Sequence, residues 1–118
     1  MLAGSAWAAD RAADQDVLVY RIDSVSASVE HNRLVVHARG AVKSGGWTAP
    51  RLRIESVGTP QDRTLVIGFM AVPPPRGSAV IQALLPVAAD LATRLRRPPA
   101  GAVRVVSETN DVTTQILP

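Results

Sequence analysis

Residues 17–42 read VLVYRIDSVSASVEHNRLVVHARGAV, and their alternation decides the fold. Apolar and polar positions change places with period two, the pattern of a strand that turns one face to a core and the other to water. Leu18, Tyr20 and Ile22 share one face; Val25, Ala27 and Val29 then take the opposite parity. The switch near Asp23 and Ser24 predicts a bulge, or a strand bending from one sheet into another. Glu30-His-Asn-Arg33 reads as a turn in which Asn32 is suited to the left-handed region. Leu34, Val36 and Ala38 alternate with Val35, His37 and Arg39, so a second half-buried strand runs to about Val42.

The same period continues outward. Lys43-Ser-Gly-Gly-Trp-Thr-Ala-Pro50 is the most turn-rich segment of the chain. After it, Leu52 and Ile54 face in while Arg51, Arg53 and Glu55 face out. Thr64 to Val72 is apolar on both parities, as expected of a strand that is central or covered on both sides, and Pro73-Pro-Pro75 ends it. Ser78 to Arg97 carries two periods at once. Ala79, Ile81, Ala83 and Leu85 alternate, whereas Val87, Leu91 and Leu95 recur at i, i+4 and i+8. The expectation is a strand to about Leu85, a break at Pro86, and a short helical or irregular insertion near 87–97. Val103 and Val105 lead a further strand, Asn110-Asp111 a turn, and Val112, Thr114 and Ile116 a last strand.

About seven short strands joined by turn-rich loops predict an all-β domain, an immunoglobulin-like β-sandwich or a small barrel, spanning residues 16–118. The composition agrees. Of the 118 residues, 47% are apolar, mostly valine and alanine, and a chain of this size supports one core. With no cysteine there is no disulfide framework, thiolate nucleophile or cysteine-bound zinc. The longest apolar stretch, Ala79 to Ala89, is too short to span a bilayer as a helix, so no transmembrane segment is expected. Ala6 and Ala8 stand at the A-x-A spacing of a signal-peptidase site, with Asp10, Arg11 and Asp14 directly after. Residues 1–15 are therefore expected to be a signal-peptide remnant and a disordered arm, and the protein to be periplasmic or secreted.

Gly45-Gly-Trp-Thr48, Phe69-Met-Ala-Val-Pro-Pro-Pro75, Gln82-Ala-Leu-Leu-Pro86 and Val103-Arg-Val-Val-Ser-Glu-Thr-Asn110 follow one another in that order. Together they resemble an uncharacterised family of small exported bacterial β-sandwich-like proteins. The resemblance covers most of the chain after Asp16. It implies a shared fold and export, and it carries no activity.

Signatures of catalysis are missing from the sequence. His31 and His37 lie six residues apart, outside chelating spacings, so no metal is expected. No Gly-x-Ser-x-Gly elbow singles out a serine, the ten acidic residues are scattered, and Ser44-Gly-Gly46 is not followed by a helical pattern, so no cofactor is expected. The leading expectation is a non-catalytic exported binding or accessory module; the alternatives are a small hydrolase or peptidase with an unrecognised site and a structural envelope component. Trp47, flanked by Gly46 and Thr48, is placed either to stack on a sugar or partner or to lid an end of the sandwich, and the scarcity of aromatics favours the lid. If the strand ending at Val42 pairs with the one around Leu52, then Arg33, His37, Arg39, Lys43, Arg51 and Arg53 form one basic stripe beside Trp47. Such a stripe suits an anionic envelope polymer, a lipid headgroup or an acidic protein. Nucleic acid is not expected, because the stacking aromatics of single-strand binders are lacking. The competing reading is a solvated face whose arginines blunt edge pairing.

Overall fold

The structure is a computed structural model that describes residues 16–59, 61–94 and 100–117. The signal-peptide remnant and arm expected at 1–15 lie outside the described residues. Eight strands follow in order: β1 Val17–Leu18, β2 Arg21–Glu30, β3 Arg33–Val42, β4 Thr48–Ser56, β5 Thr64–Val72, β6 Leu85–Arg94, β7 Ala102–Val106 and β8 Asp111–Gln115. They form two sheets, one of β2-β3-β6 and one in which β5 carries β4 on one edge and β7 and β1 on the other, with β8 outside β7. The chain is an all-β sandwich and not a closed barrel.

The opening stretch follows its alternation from Ile22 onward, but Leu18, Tyr20 and Ile22 do not share a face: β1 and β2 lie in different sheets, and Val19 between them is the fully buried residue. β1 pairs with β5 and β2 with β3, so the chain passes from one sheet to the other at Val19 and Tyr20. The ladder shifts register between Ile22 and Ser24, which places Asp23 as the extra residue of a bulge. His31 and Asn32 both have positive φ, 52° and 63°, between the paired Glu30 and Arg33. This is the two-residue hairpin turn whose twist matches its strands.

Opposite the bulge, an amide side chain takes the place of a strand. Asn110 Oδ1 accepts from the Ile22 N–H and Asn110 Nδ2 donates to the Ile22 C=O, both at 2.9 Å. Ser107 holds that amide by accepting from the Asn110 N–H at 3.1 Å and donating to Oδ1 at 2.6 Å. The β7–β8 turn is thereby locked onto β2. Asn110→Ala removes both bonds and leaves two backbone groups of the bulge without partners. A loss of about 2 kcal/mol is expected, seen as a lower denaturant midpoint at unchanged slope.

β5 is central. Leu65, Ile67, Phe69 and Ala71 are buried on its inner face, and Gly68 and Met70 are buried on its outer face as well. Arg51 stands opposite Met70 and Arg53 opposite Gly68, and the Glu55 carboxylate lies so close over Gly68 that an added Cβ would sit 2.9 Å from it. Val36, Val19, Val103 and Val105 close the core from the other strands.

Three expectations are corrected. Residues 87–94 are not a helical or irregular insertion but belong to the ten-residue strand β6, Leu85–Arg94, paired with β3 without a register shift. The i, i+4, i+8 set that suggested a helix is also a subset of period two. Leu85, Val87, Ala89, Leu91 and Thr93 share the inward face, and residues 95–97 of the expected insertion lie outside the described residues. Pro86 does not break the strand. The Ala41 carbonyl turns away from it to accept from Tyr20 N–H, so Pro86 faces the open edge, where no N–H is required. Ala79 to Leu84 is not a strand either, since β6 already occupies the free edge of β3; these residues form part of a loop over the end of the sandwich.

Candidate functional site

The β3–β4 connection and the β5–β6 connection meet at one end of the sandwich. Gly45 N–H donates to the Ile81 C=O at 2.9 Å. Gly46 has φ +86°, and a Cβ there would stand 2.8 Å from Pro74 and 3.0 Å from Val80. Glycine at 46 is thus required both by the backbone turn and by the close approach of the proline-rich loop. The turn swings Trp47 back over the core, against which it packs half-buried, and its indole N–H donates to Ser44 Oγ at 3.2 Å. Ser44 is itself buried.

Beside Trp47 lies a hollow of about 320 Å³ between the two sheets, lined also by Val42, Pro50, Ala71, Leu85 and the Pro86–Ala88 segment. A second hollow of about 420 Å³ opens on the outer face of the β2-β3-β6 sheet, lined by Asp23, Ser24, Arg39, Gly40 and the same Pro86, Val87 and Ala88. The two hollows therefore flank one short stretch of β6. One presents an aromatic ring and apolar side chains; the other presents the Arg39 guanidinium together with Asp23, whose carboxylate is ion-paired with Arg21.

The basic stripe is divided. β3 pairs with β2 and β6 while β4 pairs with β5, so the hairpin that would have joined the six cations does not form. Arg33, His37 and Arg39 belong to the three-stranded sheet, and Arg51 and Arg53 to the other. Most of these groups have acidic partners. Arg51 is ion-paired with the buried carboxylate of Asp16, and Arg53 with Glu55 at 3.0 Å. Lys43 lies 3.2 Å from Glu108 and 6.0 Å from the centroid of the Tyr20 ring, and His37 Nδ1 is 2.5 Å from Asp90. Arg39 is exposed and has no acidic partner among the described residues. Of the six cations it is the one that borders the second hollow and has no ion-pair partner among the described residues.

Trp47 and Arg39 were legible from the sequence, but the Pro86–Ala88 segment that connects them was not. Its signal is a proline followed by small side chains on an edge strand, and it acquires meaning only once β6 is known to lie beside β3. Among the described residues, no three His, Asp or Glu side chains gather as metal ligands, and no helix is long and apolar enough to cross a membrane. Comparison with known proteins finds no matching protein family, curated protein or solved structure.

Proposed function

We propose that this chain is a non-catalytic exported binding module that holds a carboxylate-bearing envelope glycan across the Pro86–Ala88 segment. One observation supports the reading: an aromatic hollow and a hollow bordered by a guanidinium with no ion-pair partner among the described residues share three lining residues. A sugar ring stacks on the exposed part of Trp47, and Arg39 takes the acidic substituent through its planar fork of donors. The small, exposed side chain of Ala88 lets an extended polymer lie close to the sheet. His37, next on the same face of β3 and bonded to Asp90, limits the charge available further along.

Titration with acidic polysaccharides tests the reading. Arg39→Ala is expected to weaken binding at least about fivefold while leaving stability within about 0.5 kcal/mol of wild type, since its side chain is exposed. Arg51→Ala with Arg53→Ala is expected to leave affinity unchanged, because those cations sit on the other sheet with carboxylate partners. Affinity falls as salt rises, in keeping with a screening length of about 10 Å at 0.1 M. Equal binding by the Arg39 variant removes the proposal, and preference for anionic vesicles or acidic proteins changes its ligand class.

Export rests on the Ala6 and Ala8 spacing and on the resemblance carried by the Gly-Gly-Trp-Thr motif. Sequencing the mature N-terminus after expression of the full-length gene in a bacterial host is expected to show cleavage after Ala8. An uncleaved cytoplasmic product would contradict it.

A further inference from the structure

The free edges of the sandwich are unequal. β4 carries Ala49 at φ 52° and Pro50 directly after its first residue, and it shifts register twice against β5, so its outer edge is bent and interrupted. β6 pairs with β3 over ten residues with no shift, and no described strand takes its other edge. Because the Ala41 carbonyl turns away from Pro86, residues of Pro86 parity aim their backbone groups at that open edge. These are Ala88, Asp90, Ala92 and Arg94. Val87 and Leu91, on the inward face, remain only half-buried.

Charge on this strand is unbalanced in a specific way. Arg94 stands directly opposite Arg33 across the ladder, and neither has an acidic partner among the described residues. Like charges so placed repel. Glu30, which pairs with Arg33 at the hairpin, is turned to Ser28 Oγ at 3.1 Å. Asp90 uses Oδ1 on His37 and keeps its side chain 73% exposed, so its other oxygen is open to a further donor.

We propose that β6 is the seam of a homodimer, in which β6 of a second copy adds antiparallel about a two-fold axis at Ala92. In that register Asp90 of each copy faces Arg94 of the other, Ala92 faces Ala92, and the backbone groups at 90, 92 and 94 exchange hydrogen bonds. Of the registers open to this strand, it is the one that opposes carboxylate to guanidinium at both ends. Registering Asp90 on Asp90 would oppose like charges. Each second-copy carboxylate also arrives beside the Arg33–Arg94 pair and relieves it. The result is one six-stranded sheet from two three-stranded ones. A second copy is favoured over a foreign peptide because the complementarity is self-complementary, as an isologous contact requires.

Sedimentation velocity over a dilution series tests this independently of any glycan. The wild type is expected to dimerise. Asp90→Arg and Arg94→Asp are each expected to weaken self-association at least about tenfold, by placing like charges opposite one another at both ends. Mixing the two variants is expected to restore dimers, because each supplies the charge that the other lacks. Ala92→Pro, at a position of Pro86 parity, is expected to keep the circular dichroism of the fold and remain monomeric. A wild type that stays monomeric up to about millimolar concentration, variants that dimerise as wild type does, or a mixture that forms no heterodimer would each overturn the proposal.

Discussion

Gly40→Ala is expected to destabilise the protein by at least about 3 kcal/mol, the largest effect of a methyl group added at any of the described glycines. Gly40 lies in β3 opposite Ile22, where β2 bulges around Asp23. A Cβ there would stand 1.9 Å from the Arg21 carbonyl oxygen, 3.0 Å from its carbon and 3.2 Å from the Ile22 Cα. All three atoms are backbone, so no side chain can swing aside. The bulge itself has to move, and with it the Ile22 groups that bond Asn110. The requirement is one of space, not of dihedral angle. Gly101→Ala is the matched control: nothing lies within 4 Å of its Cβ, and a change within about 1 kcal/mol of wild type is expected. Thermal unfolding of the two variants checks the contrast, each kcal/mol corresponding to several degrees in Tm.

Phe69→Ala is expected to cost about 3–5 kcal/mol. Phe69 is the sole phenylalanine of the chain, is fully buried, and sits on the central strand opposite Leu52. The buried cluster it belongs to is otherwise made of valine, isoleucine, leucine and alanine, so no other buried aromatic is available to fill the space it leaves. The lost transfer energy therefore comes with a residual cavity. Against a total stability of about 5–15 kcal/mol for a domain, the variant falls near the limit of folding. Phe69→Leu keeps most of the volume and is expected to cost about 1.5 kcal/mol or less. Denaturant unfolding that ranks the two variants equally would mean that the core is not centred on β5.

The faces of the strands were legible in the sequence, and their neighbours were not. Alternation placed Leu34, Val36 and Ala38 inward, bounded β5 at Thr64 and Val72, located the bulge after Ile22, and marked the His31-Asn32 turn. Each of these depends on residues close together along the chain. The failures all depend on long-range pairing. Whether Arg39 and Arg51 share a surface is decided by which strand lies beside β3, and that strand is β6, more than forty residues further on. Whether Pro86 breaks a strand is decided by whether its N–H is needed, which no local pattern records. The divided stripe follows from the same cause. A period of two says which way a side chain points, never which sheet carries it.

An amide nuclear magnetic resonance titration with an acidic polysaccharide tests the binding account most directly, because it reads both sheets at once. Shifts are expected at Gly40, Gly45, Gly46, Ala88 and the Trp47 indole, the groups around the two hollows. The amides of Arg51 to Glu55 on the opposite sheet are expected to stay unmoved. Shifts confined to Arg51–Glu55, or none at saturating polymer, would contradict the account.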